Sequence, residues 1–240
     1  MPPMKKLVFE PLDIPYLARP SLIEMNEAET ILEIAKHNLR SNYRSYDPNF
    51  RQMRDICTGI ADVELLKAAL EPKKPPSAQT LGWIRSVRDV CEQLHCVYGG
   101  EPSQWYPANR KPIEILRSTW FKNSIRGIRV VGGQARAQLI NARKSLWFDR
   151  LSLEFLARWI IEYHIREDAN IHGFDIVDLG APFGENERRT RVFTDEMIEP
   201  MTLELFEDCV EHFLGAIEAA GYTSIPRDGE RTVDLFRRPW

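Results

Sequence analysis

Leu151, Phe155, Trp159 and Tyr163 recur at every fourth position, with Leu156 and Ile160 beside them, and no other feature of the chain restricts its fold as much. Residues four apart share one face of an α-helix, so this segment must bury a wide aromatic stripe against a partner element. The pattern predicts a long helical stretch over 134–170, continuous or broken near Trp147–Phe148, with Gly173 ending it. Similar stripes predict four more helices. One follows Asn26, a capping residue with Glu29 three positions on, and carries Ile31, Leu32, Ile34, Ala35 and Leu39. Another spans 51–70 with Met53, Ile56, Cys57, Ile60, Val63, Leu66 and Leu70. A third spans 77–97 with Leu81, Ile84, Val87, Val90, Cys91 and Leu94, closed by Gly99-Gly100. The last spans 202–220 with Leu205, Phe206, Cys209, Phe213 and Ile217 inward, capped by Gly221.

Between the stripes the chain is broken by proline and glycine. Pro11, Pro15 and Pro20 make 5–25 an extended arm or strand, and Pro72, Pro75 and Pro76 make 71–77 a linker that no helix can cross. Residues 101–112 read as a loop and 113–121 as helical, while 125–131, followed by Gly132-Gly133, fits either a short strand or a helix end. The expected architecture is therefore mainly α. It has an N-terminal arm and helical lobe over 1–76, a helical bundle over 77–222, and a tail over 223–240. Thr232–Phe236 is a candidate to pair as a strand with Leu7–Phe9.

A chain of 240 residues with six Trp, seven Tyr and eleven Phe can bury a substantial core without metals or disulfides. Arg158, Glu162 and Arg166 interrupt even the richest apolar helix, which argues against a membrane span. The N-terminus has no apolar run of the kind that directs secretion, so the expected location is the cytoplasm. Cys57, Cys91, Cys96 and Cys209 form no C-x-x-C pair and no zinc spacing, and they read as buried reduced thiols. The glycines match no phosphate-cradling motif, and no serine lies in a G-x-S-x-G turn, so no cofactor and no metal are expected.

The net charge of -3 hides an uneven distribution. Residues 110–150 hold ten basic and two acidic side chains, whereas 151–240 hold nine basic and nineteen acidic. Such a split marks either a nucleic-acid-facing surface or two halves that neutralise each other. Arg126, Arg129, Arg136, Arg143 and Lys144, interleaved with Trp120, Phe121, Trp147 and Phe148, are the candidate RNA contacts.

Three Arg-His pairs have four to six residues between them: Arg88 with His95, Arg158 with His164, and Arg166 with His172. The last lies in Arg166-Glu-Asp-Ala-Asn170-Ile171-His172-Gly173, at the expected end of the long helix and ahead of one more amphipathic helix. This arrangement, over about residues 134–221, resembles the end of a HEPN domain (higher eukaryotes and prokaryotes nucleotide-binding). Glu167 stands where that helical family commonly has Asn, and an acid there repels phosphate.

The resemblance implies a metal-independent endoribonuclease, a toxin or antiviral effector, acting as a homodimer. In that reading His172 is the general acid or base, Arg166 the phosphate clamp and Asn170 a positioning hydrogen-bonder, with Arg158 and His164 as a reserve pair. Imidazole exchanges protons near neutrality and guanidinium offers phosphate a permanently charged planar fork. The alternative pairs Arg166 with Glu162 or Asp168 on a solvated helix surface and leaves His172 without a chemical task. The chain is then a non-catalytic subunit that binds RNA or protein in a larger assembly, or an interaction protein whose charged halves mate internally.

Overall fold

A computed structural model of the chain describes residues 5–6, 9–39, 46–59, 62–71, 78–109, 112–115 and 119–223. Its centre is a five-stranded mixed sheet, which corrects the expectation of a helical bundle: the fold is α/β. In chain order the elements are β1 (Lys5–Lys6), α1 (Asp13–Leu17), α2 (Glu27–Leu39), α3 (Asp47–Arg51), α4 (Met53–Cys57), α5 (Val63–Ala68) and α6 (Ala78–Tyr98). They continue with β2 (Gln104–Pro107), β3 (Ile113–Glu114), β4 (Trp120–Phe121), β5 (Ile125–Val131), β6 (Gln134–Asn141), α7 (Arg150–Ile160), β7 (Ile171–Asp178), β8 (Arg191–Thr194), α8 (Leu203–Ala219) and β9 (Tyr222–Thr223).

The main sheet has the order β2-β5-β6-β7-β8. β5 and β6 form a hairpin whose turn, Gly132-Gly133, holds both residues at positive φ (57° and 80°), as a tight two-residue turn requires. β6 and β7 run parallel, joined through α7, and every other neighbouring pair is antiparallel. Helices cover both faces. Ala137, Leu139, Phe174 and Ile176 point into one apolar layer with α1, α2, α7 and α8. Ile140, Val177 and Leu179 point into the other, with α3, α4, α5 and α6.

This double coverage explains the largest correction. Gln134–Asn141 and Ile171–Asp178 are strands, not the body and tail of a long helix, and from Ala137 and Gly173 onward they are buried on both faces. A strand buried on both sides lacks the apolar-polar alternation that identifies a half-exposed one, so its period says little. The aromatic stripe is nevertheless helical: α7 starts on Asp149, whose Oδ1 accepts from Ser152 N at 2.7 Å. Its Phe155 and Trp159 lie against Phe206 of α8, with centroids 5.0 and 6.4 Å apart. α8 occupies the stretch that the periodicity marks.

Smaller differences follow similar physics. The 5–25 arm contains the one-turn helix α1, buried through Asp13, Ile14 and Leu17. The 113–121 segment pairs as β3 with β4 instead of forming a helix, and the 101–112 loop includes β2. The 51–70 stripe is divided between α4 and α5. Lys5–Lys6 pairs in parallel with Tyr222–Thr223; Thr232–Phe236 and the prolines of the 71–77 linker lie outside the described residues.

Candidate functional site

Two polar clusters grip the parallel pair β6–β7, one on each face. At the C-terminal end, Asp178 is fully buried and accepts four hydrogen bonds. Asn141 Nδ2 (2.8 Å) and Gly180 N (3.0 Å) donate to Oδ1, and Phe148 N (3.1 Å) and the Arg191 guanidinium donate to Oδ2. Asn141 also donates to Leu146 O at 2.8 Å. Arg191 stacks its guanidinium on Trp147, 3.3 Å from the ring centroid. The carboxyl ends of parallel strands are where open α/β sheets commonly bind ligands. Here Asp178 and Asn141 are already engaged with each other, with backbone groups and with Arg191, so they fasten the 142–149 and 179–190 connections.

On the opposite face, Tyr98 of α6 donates to Gln138 Oε1 (2.8 Å), and Gln138 Nε2 donates to Asp175 Oδ2 (2.7 Å). Arg136 closes this line, donating to Asp175 Oδ1 at 2.9 Å, to Phe174 O and to Asp195. Burial opposes the charge on Arg136, yet Asp175 and Asp195 outweigh it and raise its pKa. Burial raises the Tyr98 hydroxyl pKa well above its usual value and keeps it a donor.

The other arginines nominated as RNA contacts are held in the same way. Arg143 meets Asp13 (2.5 Å) and Glu10 (3.1 Å). Arg126 lies 3.5 Å from Glu10, with its guanidinium over the Phe50 ring. Arg129 donates to Ser103 Oγ at 3.0 Å and lies over the Tyr98 ring. Lys144 is exposed. Four of the five nominated cations thus face acids or aromatic rings within the fold, but only Arg136 pairs with the acidic 151–240 segment; the acids that meet Arg126, Arg129 and Arg143 lie at Glu10, Asp13 and Glu101.

The proposed catalytic residues have separate partners. Arg166 is exposed and ion-paired with Glu162 one turn earlier. It caps a π-helical turn (Ile161–Ile165) that extends α7 and is marked by the Arg166 N to Ile161 O bond of 3.0 Å. His172 stands on β7, exposed, its Nδ1 accepting from Ala135 N at 3.2 Å. Asn170 folds back on Asp168 Oδ1 through both its backbone N (3.0 Å) and Nδ2 (2.8 Å). Of the reserve pair, Arg158 holds Met201 O (2.7 Å) and Glu162 (3.0 Å). His164 is turned inward, and burial lowers its pKa from 6.5 to about 4. Its Nε2 has no hydrogen-bond partner among the described residues. Burial also pushes the Cys57 and Cys209 thiols up to about 11, which keeps them protonated and unreactive. Among the described residues no cluster of three His, Cys, Asp or Glu could hold a metal ion, and no helix is long and apolar enough to cross a membrane.

What sequence reasoning missed is the outer edge of the sheet. The 179–190 loop leading to β8 is anchored by Arg188, which donates to Ala142 O (2.9 Å), Leu179 O (2.7 Å), Tyr46 Oη (2.8 Å) and Ser86 Oγ (2.9 Å). Above this anchor Glu185 N bonds to Pro182 O (2.9 Å) in a turn that sets Gly184 at φ 82°. Phe183, at the turn's tip, is fully exposed. Arg189 N bonds to Gly180 O (2.8 Å) in the register of the β7–β8 ladder, so the backbone groups of Arg191 and Phe193 face β7. The backbone groups of Val192 and the N–H of Thr194 face outward and have no partner among the described residues, while the Thr194 carbonyl caps the 3-10 turn Asp195–Met197. Phe183, Val192, Met197 and Leu203 make up four of the nine exposed large apolar side chains described. The Pro-Phe-Gly turn signal followed by Val-Phe-Thr was the available clue to this edge. Compared with known proteins, the chain matches no family model, no curated protein and no solved structure.

Proposed function

We propose that this chain is a non-catalytic cytoplasmic subunit that joins a larger assembly by binding protein along β8. The observation that carries the reading is the outward-facing backbone of Val192 and the outward N–H of Thr194, flanked by exposed Phe183, Met197 and Leu203. An open strand edge supplies main-chain hydrogen bonds to an incoming strand, and aromatic side chains at its ends supply the apolar contacts that dominate binding energy. Arginines already engaged with Asp13, Asp175 and Asp195 have little charge left for a phosphate backbone, which favours protein over RNA as the partner.

A second reading, the metal-independent ribonuclease of HEPN type acting as a toxin or antiviral effector, keeps one observation in its favour. His172 is exposed, and with Nδ1 accepting from Ala135 its neutral ring carries the proton on Nε2. Against it stand the α/β fold and the ion pair that engages Arg166. Incubating the purified chain with RNA in excess chelator at low salt separates the two. The protein-binding reading expects intact RNA and no retained complex. Cleavage that disappears in His172→Ala would overturn it in favour of the nuclease.

A further inference from the structure

We infer that the connection from α7 to β7 is an acid-sensitive hinge: His164 and His172 hold it closed only while both rings are neutral, and their protonation lets residues 161–172 open locally while the sheet stays folded. Two backbone irregularities place these rings. His164 lies in the π-helical turn Ile161–Ile165, which the bond from Arg166 N to Ile161 O (3.0 Å) marks. His172 lies on β7 beside the point where the β6–β7 register slips, between Ala135 and Arg136. Interruptions of this kind break the regular pattern of bonds, and local opening costs less there than in the ladders on either side.

Each ring fits its place in the neutral form alone, for a different reason. The Nε2 of His164 is buried and has no partner among the described residues. A neutral ring can leave that nitrogen bare. A protonated ring would set an N–H and a positive charge there with nothing to accept it. The Nδ1 of His172 accepts the Ala135 N–H at 3.2 Å, and a ring protonated on both nitrogens has no lone pair left to accept with. Acid therefore strands the Ala135 N–H at the bulge and a cation inside the turn.

The charged groups around the hinge are committed elsewhere. Glu162, in the same turn, bonds Arg158 of α7 and Arg166. Asp168 accepts from Asn170, and Glu167 is exposed. Arg136 of β6 bonds Asp175 of β7 and Asp195, while Glu207 of α8 acts on Tyr163. None of them shifts the His164 ring, whose pKa burial alone lowers from 6.5 to about 4. Opening returns that ring to water, so the open form binds protons more tightly. Closure is complete above pH 6.5 and weakens as the pH falls towards 4. Between pH 7 and pH 5 these values raise the open fraction about 20-fold.

Amide exchange of the full chain at pH 7 and pH 5, corrected for the intrinsic pH dependence of exchange, tests the inference. The Arg166 and Ala135 amides read the hinge, and those of Leu139 and Ile176 in the middle of the sheet serve as reference. Protection at Arg166 is expected to fall about 20-fold, with Ala135 following, while Leu139 and Ile176 keep theirs. His164→Phe should abolish the fall at Arg166, and His172→Phe should leave Ala135 weakly protected at both pH values. Unchanged protection at Arg166 in the wild type, or an equal loss at Leu139 and Ile176, overturns the local hinge. A fall at Arg166 that persists in folded His164→Phe, or a well-protected Ala135 in His172→Phe, overturns the part given to that histidine. If His164→Phe does not fold, the wild-type comparison of Arg166 with Leu139 decides.

Discussion

Replacing Asp178 with alanine removes the acceptor on which the end of the β6–β7 pair converges. Its carboxylate is fully buried and receives the Asn141 amide, the backbone N–H groups of Gly180 and Phe148, and the Arg191 guanidinium. Alanine leaves each of these donors without that partner. Losing one side of a buried ion pair costs about 3–5 kcal/mol, and each buried donor left unsatisfied costs roughly 1–3 kcal/mol more. Arg191 is 27% exposed, so water repairs part of its loss, and relaxation of the loops offsets some of the rest. A net loss of about 4 kcal/mol is expected, a large share of the ~5–15 kcal/mol that holds a typical domain. Urea unfolding of wild type, Asp178→Ala and Asp178→Asn provides the assay. Asparagine preserves the shape but sets its amide N–H groups against donors, so it should rescue less than half of the loss. A cost below about 1 kcal/mol for alanine, or nearly full rescue by asparagine, would refute the view that this carboxylate ties the loops to the sheet.

Two further predictions concern groups beneath the surface. The pKa of His164 falls from 6.5 to about 4 on folding, so the unfolded chain binds more protons and stability rises with pH across that window. At ~1.4 kcal/mol per pH unit, about 3 kcal/mol is fully present above pH 6.5 and lost as the pH falls towards 4. Urea midpoints between pH 4 and 7 should show a steeper dependence in the wild type than in His164→Phe, and parallel curves would contradict the assignment. At Gly180 an added Cβ would lie 2.0 Å from Leu146 O and 3.1 Å from Asp178 Oδ1. Gly180→Ala should therefore cost about 1–3 kcal/mol through forced displacement of the 146 carbonyl, and an unchanged thermal midpoint would show that the loop yields freely.

The helices with one exposed face were legible in the sequence because burial on one side imposes a period of 3.6. α2 has its expected capping bond, Asn26 Oδ1 accepting from Glu29 N at 3.1 Å, and α8 gains one from Thr202, whose Oγ1 accepts from Leu205 N at 3.3 Å. β6 and β7 were not legible. Covered on both faces, Gln134–Asn141 shows no alternation, and its Ala, Gln and Arg are good helix formers that the sheet overrides. The Gly132-Gly133 turn was visible, but only the identity of the following segment makes it a hairpin. The candidate site was obscured for a different reason. Helical spacing did offer Glu162 as a partner for Arg166, and that pair forms, but nothing in the spacing of Arg166 and His172 shows that His172 stands on a strand and is held by Ala135 of the neighbouring one. The fate of the basic segment depended on Asp13 and Glu10, more than a hundred residues away in sequence, and such pairings are invisible before the sheet is built.

Hydrogen exchange at the amides of Val192 and Thr194 examines the open β8 edge most directly. Both N–H groups face away from β7, so the account predicts that the dilute chain exchanges them rapidly while Arg191 and Phe193 remain protected. Protection at 192 and 194 equal to that of their neighbours in the dilute chain would contradict it.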